Sequence, residues 1–261
     1  DHSNTHSSFK DKVNMSNLCQ EITLPTDPID HIDGEGEIAL CILSAINVGI
    51  VKEEEMESLC DLSVRGLEEL IDFQEYPVKA AKISTIARRS LGIGYIGLAH
   101  YLAKNKVKYD DPKAWELVHD LTERFQYYLL CSSADIAEEK GACAYFDRTK
   151  YADGILPIDT YKKEVDELVK PIYNMPWEDL RKRIKENGLR HSTLTAQMPS
   201  ESSSVVSNAT NGIEPPRDHL SVKKSKKGTL KQVVPQYSIL KNAYTIPVSY
   251  THLTLPTNRE V

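Results

Sequence analysis

The sequence holds no apolar run near the roughly 18 residues a helix needs to cross a bilayer. Its opening, DHSNTHSSFKDK, carries no apolar stretch of the kind that drives secretion. Positive charge is not in excess. The 32 Lys and Arg stand against 38 Asp and Glu, a formal net charge of −6, which argues against a general nucleic-acid-binding surface. KKSKKGTLK (Lys223–Lys231) is a local exception, and its Lys-Gly signal reads as a solvated hairpin turn. There is no CxxC pair. The five cysteines, Cys19, Cys41, Cys60, Cys131 and Cys143, are odd in number and irregular in spacing, so they support neither a zinc site nor a disulfide framework. They fit a reducing, cytoplasmic setting. His31, His100, His119, His191 and His219 lack ligand spacing, and no local Ser/His/Asp arrangement, internal repeat or low-complexity linker stands out.

What is present suits a globular α/β chain. It has 261 residues, 40% hydrophobic and 27% charged, enough for one large domain or two small ones. GEIALCILSAINVGI (Gly36–Ile50) reads as a buried strand of a mostly parallel sheet. The run after it places Met56, Leu59, Leu62, Val64, Leu67, Leu70 and Ile71 at helical spacing, behind an acidic start that suits the positive end of a helix. Arg88–Asn105 begins strand-like and ends helical, and a long helix covers about Pro112 to Lys140. Trp177–Gly188 reads as a short helix closed by its glycine. Arg190–Ser204 reads as a strand entering a polar turn, and His219–Pro235 as a hairpin. Strand and helix in alternation predict an α/β fold with right-handed crossovers.

Three short motifs can carry chemistry, each with a plainer alternative. GIGYIG (Gly92–Gly97) matches a dinucleotide fingerprint, but the acidic residue expected about 20 positions on, Glu116, falls in a helical pattern. The plainer reading is glycines that let a strand and a helix approach closely. MPSESSS (Met198–Ser204) offers hydroxyls and backbone N–H groups that can cradle an anion, or that simply cap a helix. In MSNLCQEI, alternation along an extended segment puts Asn17, Cys19 and Glu21 on one face: an amide, a thiol and a carboxylate. Equally, Cys19 can be a small buried hydrophobe and Glu21 a surface residue. Cys41, inside an apolar strand, reads as core.

Taken together, ordered phrases narrow these alternatives. NTHSSF, SNLCQEITLPT, GEIALCILSAIN, AAK, RRSLGIG, QYYLL, GILPIDTYKK, GLRHSTLTAQMPSESSS, SNATNGIEPPR and QVVPQY follow one another through residues 1 to 246. In this the chain closely resembles the large, catalytic subunit of class I ribonucleoside-diphosphate reductase, of the aerobic bacterial and phage type. The resemblance implies the second half of a ten-stranded α/β barrel with a central finger loop, here residues 13–27. It implies that Cys19 is the thiyl-radical residue taking the substrate's 3′-hydrogen. Glu21 is then the base for the 3′-hydroxyl and Asn17 a hydrogen-bonding partner of the hydroxyls. Cys41 is one of two cysteines that supply reducing equivalents. Ser200, Glu201, Ser202 and Ser203, in the turn 199–204, meet the substrate diphosphate. Ser202 stands where the family more often has Thr, and the hydroxyl is retained.

The resemblance also implies what acts from outside. It implies no cofactor or metal bound by this chain, a radical from a metal-containing small (beta) subunit, and thioredoxin or glutaredoxin as reductant. It implies a homodimer of the full-length large subunit, with no membrane and no direct nucleic-acid partner. ATP and deoxynucleotide effectors bind in regions with no counterpart here. No residue matches the second reductive cysteine, the radical-relaying tyrosine pair or the C-terminal CxxC tail, and Tyr127–Tyr128 sits in a helical pattern instead. A glycyl-radical enzyme of related barrel fold is the nearest alternative, and it needs a glycine loop not visible here. The expectation is a segment cut at both ends, poorly soluble and inactive alone. Residues 247–261 are expected to be non-native, since Val248–Thr257 is what one reading frame of a common transposase sequencing adaptor encodes.

Overall fold

A computed structural model describes residues 8–31, 33–40, 42–167, 170, 172–225 and 228–247. Cys41, the hairpin-turn residues Lys226 and Lys227, and the expected adaptor tail from Val248 on lie outside the described residues. The chain divides into two compact units. The first is Asp1–Ser44, Glu53–Gly94 and His119–Met198; the second is Ala45–Lys52, Tyr95–Val118 and Pro199–Val261.

In the first unit the helix Met56–Phe73 buries Met56, Cys60, Val64, Leu67 and Ile71, a stripe stepping by three and four residues. Two leucines expected in that stripe fall outside it, with Leu62 65% and Leu70 46% exposed. Cys60 and Glu68 take buried positions instead. The helix Lys79–Arg88 follows and stops at Arg89, which adopts a left-handed φ of 47° while its N–H bonds the Thr85 carbonyl at 2.8 Å. The helix Pro112–Lys140 has the expected bounds. The helix Trp177–Asn187 buries Trp177, Leu180 and Ile184 and is closed by Gly188. Its start is fixed by Glu123, whose Oε1 accepts the N–H of Asn174 (2.9 Å), the N–H of Met175 (3.1 Å) and Trp177 Nε1–H (2.9 Å).

A largely buried polar cluster joins these helices. Glu68 accepts from Arg89 Nε (2.8 Å), Arg190 Nε (2.8 Å) and His191 Nε2 (3.0 Å). Ser133 Oγ lies 2.9 Å from His191 Nδ1. Burial opposes the Glu68 charge, but the His191, Arg89 and Arg190 hydrogen bonds outweigh it and hold its carboxyl well below the usual range. Burial pushes the His191 imidazole down despite Glu68, so the ring is neutral. A carboxylate only accepts, so Nε2 carries the proton.

Strands β1 (Met15–Ser16) and β2 (Thr23–Leu24) pair antiparallel, β3 (Ile42–Asn47) pairs with β4 (Leu91–Ile96), and β5 (Leu220–Ser225) with β6 (Gly228–Val233). The long buried strand expected over 36–50 is shorter and half wet: only Ile46 and Asn47 of β3 are buried, and Leu43 is 40% exposed. Glu37 at its front is occupied by an ion pair with Arg88 instead of a ladder. β4 is buried throughout. Residues 193–196 run parallel beside it, with Leu91 N–H to Thr193 O at 3.0 Å and Ile93 N–H to Leu194 O at 2.7 Å.

The dinucleotide reading of GIGYIG fails on this geometry. A phosphate cradle needs its glycines at the strand-to-helix turn, yet Gly92 and Gly94 lie inside β4. A Cβ on Gly94 would sit 2.1 Å from the Ala196 carbonyl oxygen, so the glycine permits a backbone contact. Gly97 alone is at the junction, with φ 81°, and it starts the helix Leu98–Lys104 of the second unit. There Ala99, Ala103, Val234, Leu240 and Tyr244 form a core cluster beside the β5–β6 hairpin, which runs in register from Leu220↔Val233 to Ser225↔Gly228. Mixed helix and strand is thus the observed class, as expected.

Candidate active site

The Cys19 loop belongs to the first unit. Its legs are β1 and β2, in register Met15↔Leu24 and Ser16↔Thr23. Asn17 closes the tip twice: its N–H bonds Ile22 O at 3.3 Å, and its Oδ1 accepts the Ile22 N–H at 3.1 Å. Gln20 N–H bonds Asn17 O at 3.1 Å, and Gln20 takes a left-handed φ of 64°. The tip is therefore a turn. Asn17, Cys19 and Glu21 do not share a face by strand alternation, because alternation ends where the chain reverses. Asn17 spends its carbonyl oxygen on the loop itself, in the manner that makes asparagine a turn residue, and keeps its Nδ2–H₂ donors.

Cys19 is exposed and its thiol free, and its neighbour Leu18 is 96% exposed. Glu21 is half-buried, and its Oε2 is fully shielded from solvent without a hydrogen-bond partner among the described residues. Such an oxygen is costly unless a ligand or water meets it. Glu21 also lines a cavity of about 430 Å³ with Ser8, Thr23, Lys150, Tyr151, Thr193 and Thr195. Burial lowers the Lys150 ammonium and raises the Tyr151 phenol. No motif in the sequence pointed to Lys150, Thr193 or Thr195, which reach the cavity from distant parts of the chain. The loop's apolar root, Ile22 and Leu24, packs on Ala196.

The serine-rich turn belongs to the second unit. The expected polar turn at 199–204 becomes a short helix, Glu201–Val206, one residue after Ser200. Asn211 stitches its start: Oδ1 accepts Ser200 Oγ–H at 3.1 Å and the Glu201 N–H at 2.8 Å. Glu201 carries φ 35°, a strained value for a side chain with a Cβ. Ser204, buried, donates to Glu201 O at 2.7 Å. Ser200 is buried, while Glu201, Ser202 and Ser203 face solvent. Glu201 also lines a second cavity, of about 420 Å³, with Thr210, Asn211 and Glu214. Asn211 was legible as a turn residue from the Asn-Gly pair it forms with Gly212.

The remaining thiols differ from Cys19. Cys60 and Cys143 are buried, and burial pushes Cys60 up to about 12 and Cys131 and Cys143 up to about 11. They stay protonated as core groups. Tyr127 and Tyr128 meet edge to face at 6.0 Å within the Pro112–Lys140 helix. Among the described residues no group of His, Cys, Asp and Glu is placed to hold a metal ion, and no helix is long and apolar enough to cross a membrane.

A family model described as ribonucleotide reductase, barrel domain, matches residues 1–249. The ribonucleoside-diphosphate reductase subunit alpha of Haemophilus influenzae is 59% identical over 251 residues, covering 94% of this chain and 33% of the relative. Subunit alpha of ribonucleoside-diphosphate reductase 1 from Escherichia coli is 53% identical over the same shares. The enterobacteria phage T4 subunit alpha is 44% identical over 241 residues, covering 90% of this chain and 31% of the relative. The chain thus spans about a third of the length of the curated relatives it matches.

Proposed function

Because the chain belongs to the ribonucleotide reductase barrel-domain family, we propose that it supplies the catalytic residues for reducing ribonucleoside diphosphates to 2′-deoxyribonucleoside diphosphates, as part of a large subunit. The relatives' naming as subunit alpha supports a partner small subunit that supplies the radical. The external electrons come from a dithiol protein of the thioredoxin or glutaredoxin kind.

Each residue has a distinct task. A sulfur radical on Cys19 takes the 3′-hydrogen, forming S–H and leaving a carbon radical on the ribose. Glu21 accepts the 3′-hydroxyl proton as the 2′-hydroxyl is protonated and leaves as water. The Asn17 Nδ2–H₂ donors hold the hydroxyl oxygens. Cys41 and a second thiol give up two electrons and two protons and become a disulfide. Cys19 then returns its hydrogen to C3′. The hydroxyls of Ser200, Ser202 and Ser203 and the chain around Glu201 receive the diphosphate. Residues 13–27 serve as the finger loop.

The observation that carries the reading is the Glu21 oxygen, shielded, without a hydrogen-bond partner among the described residues, and two residues from an exposed free thiol. A base poised for a substrate hydroxyl leaves that signature; a surface glutamate does not. The test is Cys19→Ser in a full-length large subunit carrying this barrel segment, assembled with its small subunit. The expected result is bound nucleotide, no deoxynucleotide, and no kinetic isotope effect from deuterium at C3′ because no turnover occurs. Deoxynucleotide formed at the unaltered rate would overturn it.

A further inference from the structure

We propose that Arg148 and Arg88 are positioning residues for the Cys19 loop, gripping it by Asp11 before its first leg and Asp27 after its second. The inference rests on the reading of Cys19 as the radical residue.

The loop cannot hold its own shape. Each leg is a strand of two residues, and an isolated two-stranded hairpin is marginal in water even when longer. Met15, Ser16, Leu18, Cys19 and Gln20 are all exposed. The Asn17–Ile22 bonds close the tip and Ile22 and Leu24 pack on Ala196, so what aims the loop as a whole must act from below.

Five charged side chains meet there. Arg148 Nε bonds Asp11 Oδ2 at 2.7 Å, and its two terminal nitrogens straddle Asp27, each at 3.1 Å. One guanidinium therefore ties both feet. Arg88 Nη1 bonds the same Asp11 oxygen at 3.0 Å, and its Nε and Nη2 grip Glu37 at 2.6 and 2.7 Å. Glu37 Oε2 also accepts the Asp27 N–H at 2.9 Å. The Tyr145 ring lies against both cations, 5.0 Å from Arg88 and 4.5 Å from Arg148. Backbone bonds lock the base, with Lys10 N–H on Arg148 O at 2.9 Å and Phe9 bridged to Thr149. Bidentate arginine–carboxylate pairs fix direction as well as distance. They suit a group that must deliver a radical to one carbon atom.

Arg88 and Glu37 are buried, and breaking that pair would unfold the region. The Asp27–Arg148 pair is half-exposed and can be altered with the fold intact. The experiment compares Asp27→Asn, Arg148→Ala and Arg148→Lys in the full-length subunit with its partner, beside Cys19→Ser as reference. Misplacing a reacting group by about 1 Å costs on the order of a hundredfold, so Arg148→Ala should lower kcat roughly ten- to a hundredfold. KM for the diphosphate should stay within about twofold, because the contacts removed do not bind substrate. Arg148→Lys, which keeps the charge, should recover part of the loss, and Asp27→Asn should fall between. If Cys19→Ser is inactive while Arg148→Ala turns over normally, the clamp is wrong and the radical reading stands. If kcat falls with the unfolding temperature and lysine does no better than alanine, the pair is merely structural and the proposal is overturned. Turnover by Cys19→Ser would instead overturn the reading beneath both.

Discussion

The Cys19 loop and the Ser200 turn are held in place in two different ways. The loop has two paired backbone positions, a tip that leaves Leu18 96% exposed, and ion pairs at its feet. The turn is stitched at short range by neutral groups: Asn211 to Ser200 and Glu201, Ser204 to Glu201, and Ser207 Oγ to Ser203 O at 2.7 Å. Charges grip over tens of residues of sequence but answer to acid and salt. Amides and hydroxyls answer to neither, and they set local geometry only. The loop proposed to deliver a radical is thus held from afar, and the turn proposed to receive the diphosphate is held from within.

That contrast can be broken in three places. The largest effect belongs to Glu21→Gln, which keeps shape and removes the carboxylate proposed as the base. It should cut kcat by about 10²–10⁴ with KM little changed, the range for a lost general base. A KM defect there would mean the loop binds substrate, the part proposed for the turn. Next is Asn211→Ala in the full-length subunit. It leaves the buried Ser200 hydroxyl and the Glu201 N–H without their shared acceptor, at a cost of about 1–3 kcal/mol. KM for the diphosphate should rise about fivefold or more, with kcat within twofold, by the same loss. A kcat defect would erase the division of labour.

The smallest effect is on acid response. The Arg148 hydrogen bond holds the Asp27 carboxyl below its ordinary value. The unfolded chain therefore binds that proton more readily than the folded one, and the pair stabilises fully above the ordinary carboxylate range near 4. Its contribution is lost as pH falls through Asp27's own lower range. Hydrogen-exchange protection at residues 14–24 should thus weaken as pH falls below about 4, before protection at 200–212 does. Simultaneous loss would show that the two regions share one support. The pair is half-exposed, so its share is a fraction of a kcal/mol to about 1 kcal/mol.

Sequence reading succeeded where a local pattern decides the outcome. The Met56–Phe73 helix, the Leu220–Val233 hairpin and the strand-then-helix at Leu91–Lys104 follow from periodicity and turn residues. It failed where partners lie far apart in the chain. Glu37 looked like the polar start of an apolar strand, because nothing nearby announces Arg88, 51 positions on. The shared face expected for Asn17, Cys19 and Glu21 presumed an extended tip, while the Asn17–Ile22 bonds fold it into a turn. The serine run shows in sequence as a polar turn or a helix start, while the partner that stitches it, Asn211, lies ten residues from Glu201. The roles expected at Cys19 and Glu21 rest on the company of ordered phrases, since the trio alone leaves two readings open.

Ser133, His191 and Glu68 are linked in the order of a hydrolase triad, with the two ring nitrogens exchanged. The donors run one way: the His191 N–H to Ser133 Oγ (3.2 Å), the serine O–H to Nδ1, and Nε2–H to the carboxylate. In an enzyme that order primes a serine to attack. Here serine and imidazole are 0% exposed, and Arg89 and Arg190 saturate the acid. No carbonyl can reach the oxygen, so the nucleophile is fastened to its base for good. The same three side chains that elsewhere pass a proton to a leaving group act here as a rivet between a helix and the segment that runs on beside β4. Distance alone cannot tell such a rivet from a catalyst; only access to solvent can.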